Sequence, residues 1–461
     1  MQRVITRLKQ QIAGEGGIRE MLTLALPMIA ATASDGIMTF TDRLFLAQLG
    51  AGQMNAALGG GVMALTFMFF FMGLTGYSTA LVAQYMGSGQ KRMCPVTTFQ
   101  SILIVLAATP LIIALRPLGE WLIARSHVPV EQAGFQLTYF NILIYGVAIS
   151  LLRNCLSCYF SGIGRTRVVM IATLGALVTN VVLDYVLIFG KLGFPAMGIA
   201  GAAIATLAGG AVAILIFLLA YFSHWNRIEF MVMESFKANW EVAKKLLWYG
   251  FPAGTEMLMN FIAFSAMIMI FHAQGLVVGT ASTIMFNWDL VTFIPLLGIE
   301  IAVTSLTGRY MGAGKPHLAH RSAMSAIVTS FLFTTLVMVF FVFFPEMLVH
   351  VFRPSHPDAT FTDAFPLAVA MIRLAAFYVI AEGVMVALVG ALRGAGDTHF
   401  TMILSITAHW LFVPVLYLIL NVMKLHPLMG WLGLVIVILL FCVALTWRYR
   451  SGKWKTLKVI G

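Results

Sequence analysis

Seven carboxylates lie within stretches of sequence that are otherwise strongly apolar. They are Asp35, Asp42, Asp184, Glu256, Asp289, Glu300 and Glu382. A charge at the centre of a membrane-spanning helix costs at least about 2.5 kcal/mol, so such acids normally face a water-filled cavity or a partner. We place only Arg43 and Arg373 among them as basic residues, too few to neutralise the acids. The expected counter-charges are therefore mobile species: protons, metal cations or an organic cation.

Asp184 has the most informative surroundings of the seven acids. Asn180 precedes it by four residues, so the two side chains project from one face of a helix. Asp42 and Thr206 fall at a similar depth in neighbouring apolar stretches. Two carboxylates, an amide oxygen and a hydroxyl make a hard-oxygen site for Na⁺ or a site that shares protons. Left empty, the two acids would repel each other, and one would tend to hold a proton.

The remaining acids have simpler alternatives. Asp35 is placed mid-span and Asp289 nearer the outer end, and both stay candidates for binding a cation. Glu300 lies near a span end, from which its side chain could reach water. Arg43 could pair with Asp42, although adjacent residues on a helix point apart.

The composition of the chain predicts that these acids lie on membrane-spanning helices. Sixty percent of the 461 residues are hydrophobic and 10% are charged, whereas a soluble domain has roughly 25% charged residues. Apolar runs of about 20 residues, enough to cross a bilayer, recur along the chain. We therefore predict an all-α integral membrane protein with twelve spans. In the first half they are 21–48, 57–85, 95–115, 135–161, 166–190 and 197–222; in the second half, 246–273, 279–310, 322–345, 366–392, 399–422 and 428–447.

Charge predicts the orientation of the chain. The net charge is +11, and most Lys and Arg fall at one side of the predicted spans. Arg116, Arg125, Lys191, Arg353 and Lys424 fall at the other side. The positive-inside rule then predicts that both termini are cytoplasmic. The charge does not indicate nucleic-acid binding, and the expected surroundings are the lipid bilayer.

The sequence contains a duplication. Tyr85–Arg92 (YMGSGQKR) returns as Tyr310–His317 (YMGAGKPH), 225 positions later, and the same offset carries Pro27 onto Pro252. Internal repeats in a very apolar chain are typical of secondary transporters, and six spans per copy predict an axis along the membrane normal. The predicted division is an N-terminal lobe, 1–222, with a basic arm, 1–19; a cytoplasmic linker, 223–245; a C-terminal lobe, 246–448; and a basic tail, 449–461.

The cysteines do not suggest a cofactor. Cys155 and Cys158 form a CxxC, but it lies inside an apolar span, where small buried hydrophobic residues are the better interpretation. No disulfide framework or metal-ligand pattern follows from the four cysteines. Except for a coupling ion, Na⁺ or H⁺, we expect no cofactor.

The chain resembles the multidrug and toxic compound extrusion (MATE) family of the MOP superfamily. The resemblance rests on motifs in matching order: Thr41–Gly50 (TDRLFLAQLG), Val82–Gly89 (VAQYMGSG), Asn180–Gly190 (NVVLDYVLIFG), Gly198–Thr206 (GIAGAAIAT) and Gly390–Thr398 (GALRGAGDT). It implies two six-helix lobes and a monomeric antiporter that expels small organic cations in exchange for Na⁺ or H⁺. A bacterial inner membrane is the implied location.

The resemblance also implies site residues. The N-lobe cation site of the family resembles Asp42, Asn180, Asp184 and Thr206. In the C-terminal lobe Glu382 matches a family acid in position. A second family acid falls at Asn260, which is not acidic, while Glu256 lies one helical turn earlier. Together with Asp289 these are secondary candidates, and Asp35 is a further intramembrane acid.

Two other functions fit parts of the sequence. A lipid-linked saccharide flippase of the same superfamily would handle anionic headgroups and favour basic cavity residues, whereas the candidates here are acidic. An intramembrane aspartyl protease would use the GxGD of Gly394–Asp397 with Asp184. Asp397, however, falls in a short loop beyond its span, where it is better interpreted as a turn or helix N-cap residue. We therefore do not expect an enzyme.

Overall fold

The computed structural model describes residues 12–125, 128–353 and 359–460. These residues are 87% helical and form no strand. The first-half helices are α1 (Ile18–Leu49), α2 (Ala51–Gly76), α3 (Ser78–Gly87), α4 (Met93–Ala114), α5 (Arg116–Arg125), α6 (Val130–Tyr145), α7 (Val147–Gly162), α8 (Thr166–Phe189) and α9 (Ile199–Tyr221). They are followed by α10 (His224–Phe230), α11 (Trp240–His272), α12 (Leu276–Gly312), α13 (Pro316–Phe343), α14 (Pro345–His350), α15 (Ala359–Ala395), α16 (Thr398–Tyr417) and α17 (Pro427–Arg450).

The all-α membrane architecture is confirmed. In the described part of the chain, 11 helical segments are long and apolar enough to cross a membrane, and 12 if α6 and α7 together form one span. Most bounds agree with the predicted spans to within several residues. The last residues of the predicted linker belong to α11, which begins at Trp240. Most of the predicted basic arm, 1–19, lies outside the described residues.

Two predicted spans are broken helices. The predicted span 57–85 consists of α2 and α3, which meet at Tyr77, and the predicted span 135–161 consists of α6 and α7. The second pair bends by 51°. At the bend, a Cβ on Gly146 would overlap the side chain of Leu207 on α9. Hydropathy averaged over a window does not detect such breaks, because the residues on both sides are equally apolar.

The small residues of α9 bring it close to α8. A Cβ built on Gly209 would lie 2.8 Å from the carbonyl oxygen of Ala176, and one on Gly201 would lie 2.8 Å from the carbonyl carbon of Leu187. Small residues permit such backbone approach between helices in lipid. α9 therefore packs closely against a helix of its own half. It also places Thr206 against the polar face of α8.

The two halves meet through reciprocal glycine contacts. A Cβ on Gly87 would overlap the carbonyl oxygen of Arg309, and a Cβ on Gly312 would overlap the carbonyl oxygen of Gln84. The 225-residue offset carries one contact onto the other, because it relates Gly87 to Gly312 and Gln84 to Arg309. A contact in which each copy offers the same patch is the signature of a two-fold relation, here within one chain. The ends of α3 and α12 therefore cross at near backbone-to-backbone distance.

The contact between the halves does not extend along their whole length. The hydroxyl of Thr32 donates to the carbonyl oxygen of Ile294, 3.2 Å away, and a Cβ on Gly36 would lie 3.1 Å from the Ile294 side chain. Further along the same helices, Phe40 and Leu290 are exposed. We call the space between these exposed faces the cleft. It opens away from the end at which α3 and α12 cross.

The C-terminal tail that follows α17 packs against the end of the molecule at which α3 and α12 cross; we call this the crossing end. Trp454 is buried and stacks on Tyr449 with ring centroids 5.1 Å apart. Val459 is buried in a cluster with Tyr77 and lies against Gly396. The segment predicted as a basic tail, 449–461, therefore also contains buried apolar residues. Apolar side chains spaced among lysines pack inward while the lysines stay exposed.

Candidate functional site

The four predicted N-lobe residues converge at the junction of α1, α8 and α9. Asn180 and Asp184, one helical turn apart, are completely buried on the face of α8 that meets α1. Asp42 is buried on α1, with Asn180 and Asp184 beside its carboxylate. The Thr206 hydroxyl on α9 lies 3.1 Å from Asp42 Oδ2 and 3.0 Å from the carbonyl oxygen of Ala202.

Most polar atoms of this group lack a hydrogen-bond partner. Among the described residues, the unpaired buried atoms include Asp42 Oδ1, both side-chain polar atoms of Asn180 and both carboxylate oxygens of Asp184. Leaving one such atom unpaired costs about 1–3 kcal/mol, and more for a charged group. Buried polar atoms that protein groups leave unpaired point to a ligand. The donor set of carboxylate, amide and hydroxyl oxygens fits a hard cation or protons.

The site does not have the ligands of a transition-metal centre. In the described ranges, no group of three or more His, Cys, Asp or Glu side chains is close enough to hold a metal ion. The four cysteines are unbridged, and Cys155 and Cys158 are buried as expected of small apolar side chains.

Tyr139 is a member of the site that the sequence analysis missed. This buried α6 residue lies beside Thr206 and close to Asp42 and Asp184. Its hydroxyl adds a fifth oxygen to the group. A tyrosine in an otherwise apolar span was the available signal, but the spans alone did not indicate which face of α6 meets α9.

Asp35 has a basic partner that the sequence analysis did not assign. Arg153 on α7 forms an ion pair with Asp35 on α1. The expectation that Arg43 and Arg373 are the only basic residues inside the spans is therefore wrong. Arg43 is exposed and, among the ion pairs of the described residues, has no bond to Asp42. The two neighbours point apart, as the geometry of a helix predicts.

Glu256 and Glu300 are also paired, through one arginine. Arg393 Nη1 lies 2.5 Å from Glu300 Oε1, and its Nη2 lies 3.5 Å from Glu256 Oε2. Glu300, for which contact with water was one alternative, has a basic partner and a side chain that is 13% exposed. Asn260 is close by on α11 and donates to Ser405 Oγ at 2.8 Å.

Asp289 and Glu382 form a separate group about three turns away along α12 and α15. The Tyr378 hydroxyl donates to Asp289 Oδ1 at 2.8 Å, and Glu382 lies beside Asp289. Oε2 of Glu382 has no hydrogen-bond partner within the described structure. The four secondary candidates therefore lie in two groups rather than one.

Asp397 is engaged at the crossing end of the molecule. It stands at the N-cap position of α16, as predicted, but its side chain does not cap the helix. It accepts two hydrogen bonds from Arg448, at 2.7 and 2.9 Å. Asp397 is therefore held by Arg448 in the turn before α16.

Comparisons with known proteins agree with this architecture. The MatE family model matches residues 27–186 and 252–418. The probable multidrug resistance protein NorM of Thermotoga maritima is 28% identical over 455 residues, covering 96% of this chain and 94% of that protein. A MOP superfamily transporter from Pyrococcus furiosus, whose binding pocket is described as having reverse polarity, superposes with a TM-score of 0.87 at 20% identity, covering 97% and 98% of the two chains.

A second solved structure shares the fold. It is the outward-facing conformation of a multidrug resistance MATE family transporter, with a TM-score of 0.84 and 20% identity over 97% of this chain and 98% of that chain. The family model covers both halves of the duplication, including Asp42, Asn180 and Asp184. The chain therefore belongs to the MatE family of multidrug efflux transporters.

Proposed function

We propose that this chain is a secondary antiporter that exports small organic cations in exchange for Na⁺ or H⁺. The proposal assigns the coupling cation to Asp42, Asn180, Asp184 and Thr206. It rests on the buried, unpaired oxygens of Asp42, Asn180 and Asp184, which protein groups do not satisfy. A cation or a pair of protons in their midst would replace the missing partners and cancel the repulsion between the two acids.

The proposed cycle is alternating access between the two lobes, 1–222 and 246–448. With the cleft open, the coupling cation binds at Asp42 and Asp184 and pulls α1 toward α8. This movement changes the cleft-facing side of α1, which weakens the hold on the substrate. Because such coupling is reciprocal, bound substrate must weaken cation binding by the same factor.

The second acid group supports an additional role for the C-terminal lobe. Asp289 and Glu382 are close together, and Glu382 retains an unpaired oxygen, so a further proton or cation fits between them. Glu256 is the weaker candidate, because Arg393 already supplies its counter-charge. We place both termini in the cytoplasm, at the end where α3 and α12 cross.

Ethidium accumulation in efflux-deficient bacteria tests the proposal. Cells producing the wild-type chain should accumulate less ethidium than control cells, and Asp184→Asn or Asp42→Asn should raise accumulation to the control level. Asp363→Asn, which changes an exposed carboxylate near the start of α15, is the matched control and should export like wild type. Equal export by all four proteins at equal membrane levels would exclude the assigned site.

If the wild-type chain does not lower ethidium accumulation, the flippase alternative gains support. That alternative requires basic groups for an anionic headgroup, and Arg153 on α7, which is paired with Asp35, is a basic side chain among the spans. Transfer of a fluorescent anionic lipid from one leaflet of a vesicle to the other would then be the decisive observation.

A further inference from the structure

A groove on the surface of the second half runs between the first turns of α11 and the start of α16. It has a volume of about 500 Å³. Its apolar and aromatic walls are formed by Leu247, Trp248, Phe251 and Pro252 of α11 and by His399 and Met402 of α16. The rings of Trp248 and His399 lie 5.1 Å apart, so the two walls meet at this point.

The aromatic wall of the groove is exposed on the surface of the protein. Trp240 is 74% exposed, Trp248 is 62% exposed and Phe251 is 56% exposed. These three residues extend over about three turns of α11, roughly 16 Å, where the helix enters its apolar span. Tryptophan is enriched at this depth, between the hydrocarbon and the headgroups of a bilayer. A lipid molecule is therefore the natural neighbour of this wall.

Lys244 brings a positive charge to the same groove. It lies on the same face of α11 as Trp240 and Trp248, four residues after one and four before the other. On the facing wall, His399 is the second residue of α16, and the N-terminus of α16 has no side-chain cap. A helix N-terminus carries a partial positive charge, so an anion between Lys244 and His399 would have favourable partners on both sides.

The carboxylates near this end of the groove already have basic neighbours. Asp397, just before α16, accepts two hydrogen bonds from Arg448. Glu241 is followed one turn later by Lys245, a spacing at which the two charges attract each other. Lys244 itself takes part in none of the ion pairs found in the described ranges. The groove therefore combines an apolar wall with a positive charge that lacks a counter-ion from the protein.

The duplication supplies a matched position in the first half. The 225-residue offset carries Lys244 onto Arg19 and Trp248 onto Thr23. Arg19 is exposed, as Lys244 is. The cation is thus present in both copies, whereas the tryptophan one turn later is particular to the second copy.

We propose that this groove is a binding site for an anionic phospholipid of the surrounding bilayer. The phosphate of the headgroup would bind between Lys244 and His399, and an acyl chain would lie along Trp248 and Phe251. The inference goes beyond the proposed export function. It agrees with the proposed cytoplasmic position of the crossing end, because basic pockets between spans on that side suit anionic headgroups.

Native mass spectrometry of the purified full chain in detergent tests the preference for an anionic lipid. Dioleoyl phosphatidylglycerol is anionic, and dioleoyl phosphatidylcholine has the same chains and no net charge. We expect the anionic lipid to bind about tenfold more tightly, the size of one charge-assisted hydrogen bond. Lys244→Gln should remove most of this difference, and Lys244→Arg should retain it. Arg19→Gln, the matched control, should leave it unchanged.

Quenching of tryptophan fluorescence locates the bound lipid. Phosphatidylglycerol with brominated chains, as a minor component of vesicles containing the full chain, should quench more emission than phosphatidylcholine with the same chains. Trp248→Phe should remove much of this excess, because bromine quenches only nearby indoles. Trp121→Phe changes an exposed tryptophan on α5 and should leave the excess unchanged.

Three results would overturn the inference. They are equal affinity of the wild-type chain for the two lipids, equal loss of the anionic lipid in Lys244→Gln and Arg19→Gln, and an unaltered excess of quenching in Trp248→Phe. Displacement of the lipid by soluble glycerol phosphate would also overturn it, in favour of a site for a free anion. Because binding is measured without an ion gradient or a transported substrate, these outcomes are independent of whether the proposed export function holds.

Discussion

The seven intramembrane acids differ in whether the protein itself supplies their counter-charge. Asp35 is paired with Arg153, and Glu256 and Glu300 are paired with Arg393. The remaining four lie in two groups that basic side chains do not reach among the described ion pairs. They are Asp42 with Asp184, and Asp289 with Glu382. The unpaired acids are therefore the ones expected to exchange ions during transport.

Arg393 should be a stabilising residue rather than a transport residue. Arg393→Gln leaves Glu256 and Glu300 without their cation, at an expected cost of about 3 kcal/mol, the lower end of the range for a broken buried ion pair. The lower end applies because the Arg393 side chain is 25% exposed. Thermal unfolding in detergent should show a clear decrease in melting temperature.

The control for this prediction is Arg373→Gln, whose exposed partner Glu346 is 3.8 Å away and should contribute almost nothing. Adding Glu256→Gln and Glu300→Gln to Arg393→Gln should restore most of the stability. A wild-type melting temperature for Arg393→Gln alone would show that this ion pair is not stabilising.

The sequence predicts which residues of one helix share a face, but it does not predict which residues of different helices form ion pairs. Asn180 and Asp184 are one helical turn apart, so their shared face followed from spacing alone. The pairing of Arg153 with Asp35 did not, because it joins residues 118 positions apart on helices whose rotation depends on packing. Tyr139 was missed for the same reason.

At the scale of elements, the close crossing of α3 and α12 should stabilise the conformation in which the two halves touch at this end. A methyl group at Gly87 would overlap the backbone of Arg309, and backbone cannot move aside as a side chain can. Gly87→Ala should therefore separate the two halves at this end. Gly134→Ala on α6, where an added Cβ meets open space, is the matched control.

Spin-label distances can measure this separation. Gln90→Cys and Lys315→Cys place labels at exposed, duplication-related positions beside the crossing. Gly87→Ala should move the distance distribution to longer values, and Gly134→Ala should leave it unchanged. An unaltered distribution in Gly87→Ala would mean that the crossing does not control separation of the halves.

The existence of the spans was predictable, but their internal breaks were not. Hydropathy located the membrane-spanning segments because every span must be apolar over about 20 residues. The bend at Gly146 depends on Leu207 of another helix, and the break at Tyr77 lies in a sequence that is apolar on both sides.

At the scale of the whole molecule, the tail should help to keep the crossing end closed. Val459 is buried in a cluster with Tyr77 of the first half and contacts Gly396 of the second. Burying a valine contributes about 1.5 kcal/mol, so Val459→Ser should shift the ratio of closed to open molecules by about tenfold. The same spin-label pair reports this ratio, and the neighbouring exposed Lys458→Ser is the control. Identical distributions in both variants would contradict a bridging role for the tail.

The duplication was the feature of the whole chain that sequence predicted best. Its offset reappears as the reciprocal contacts of Gly87 with Arg309 and of Gly312 with Gln84. The basic residues of the tail were evident from the sequence, but the burial of its apolar residues was not. Burial of Trp454 and Val459 depends on a groove that two distant parts of the chain form together.

Transport in proteoliposomes would show directly whether a cation bound at Asp42 and Asp184 drives export. Vesicles containing the purified chain and a fluorescent organic cation would be given a Na⁺ gradient or a proton gradient in separate experiments. We expect one gradient to drive the organic cation against its own concentration difference, and we expect Asp184→Asn to abolish this movement while Asp363→Asn does not. Uphill movement by Asp184→Asn equal to that of wild type, or wild-type movement that neither gradient changes, would contradict the account.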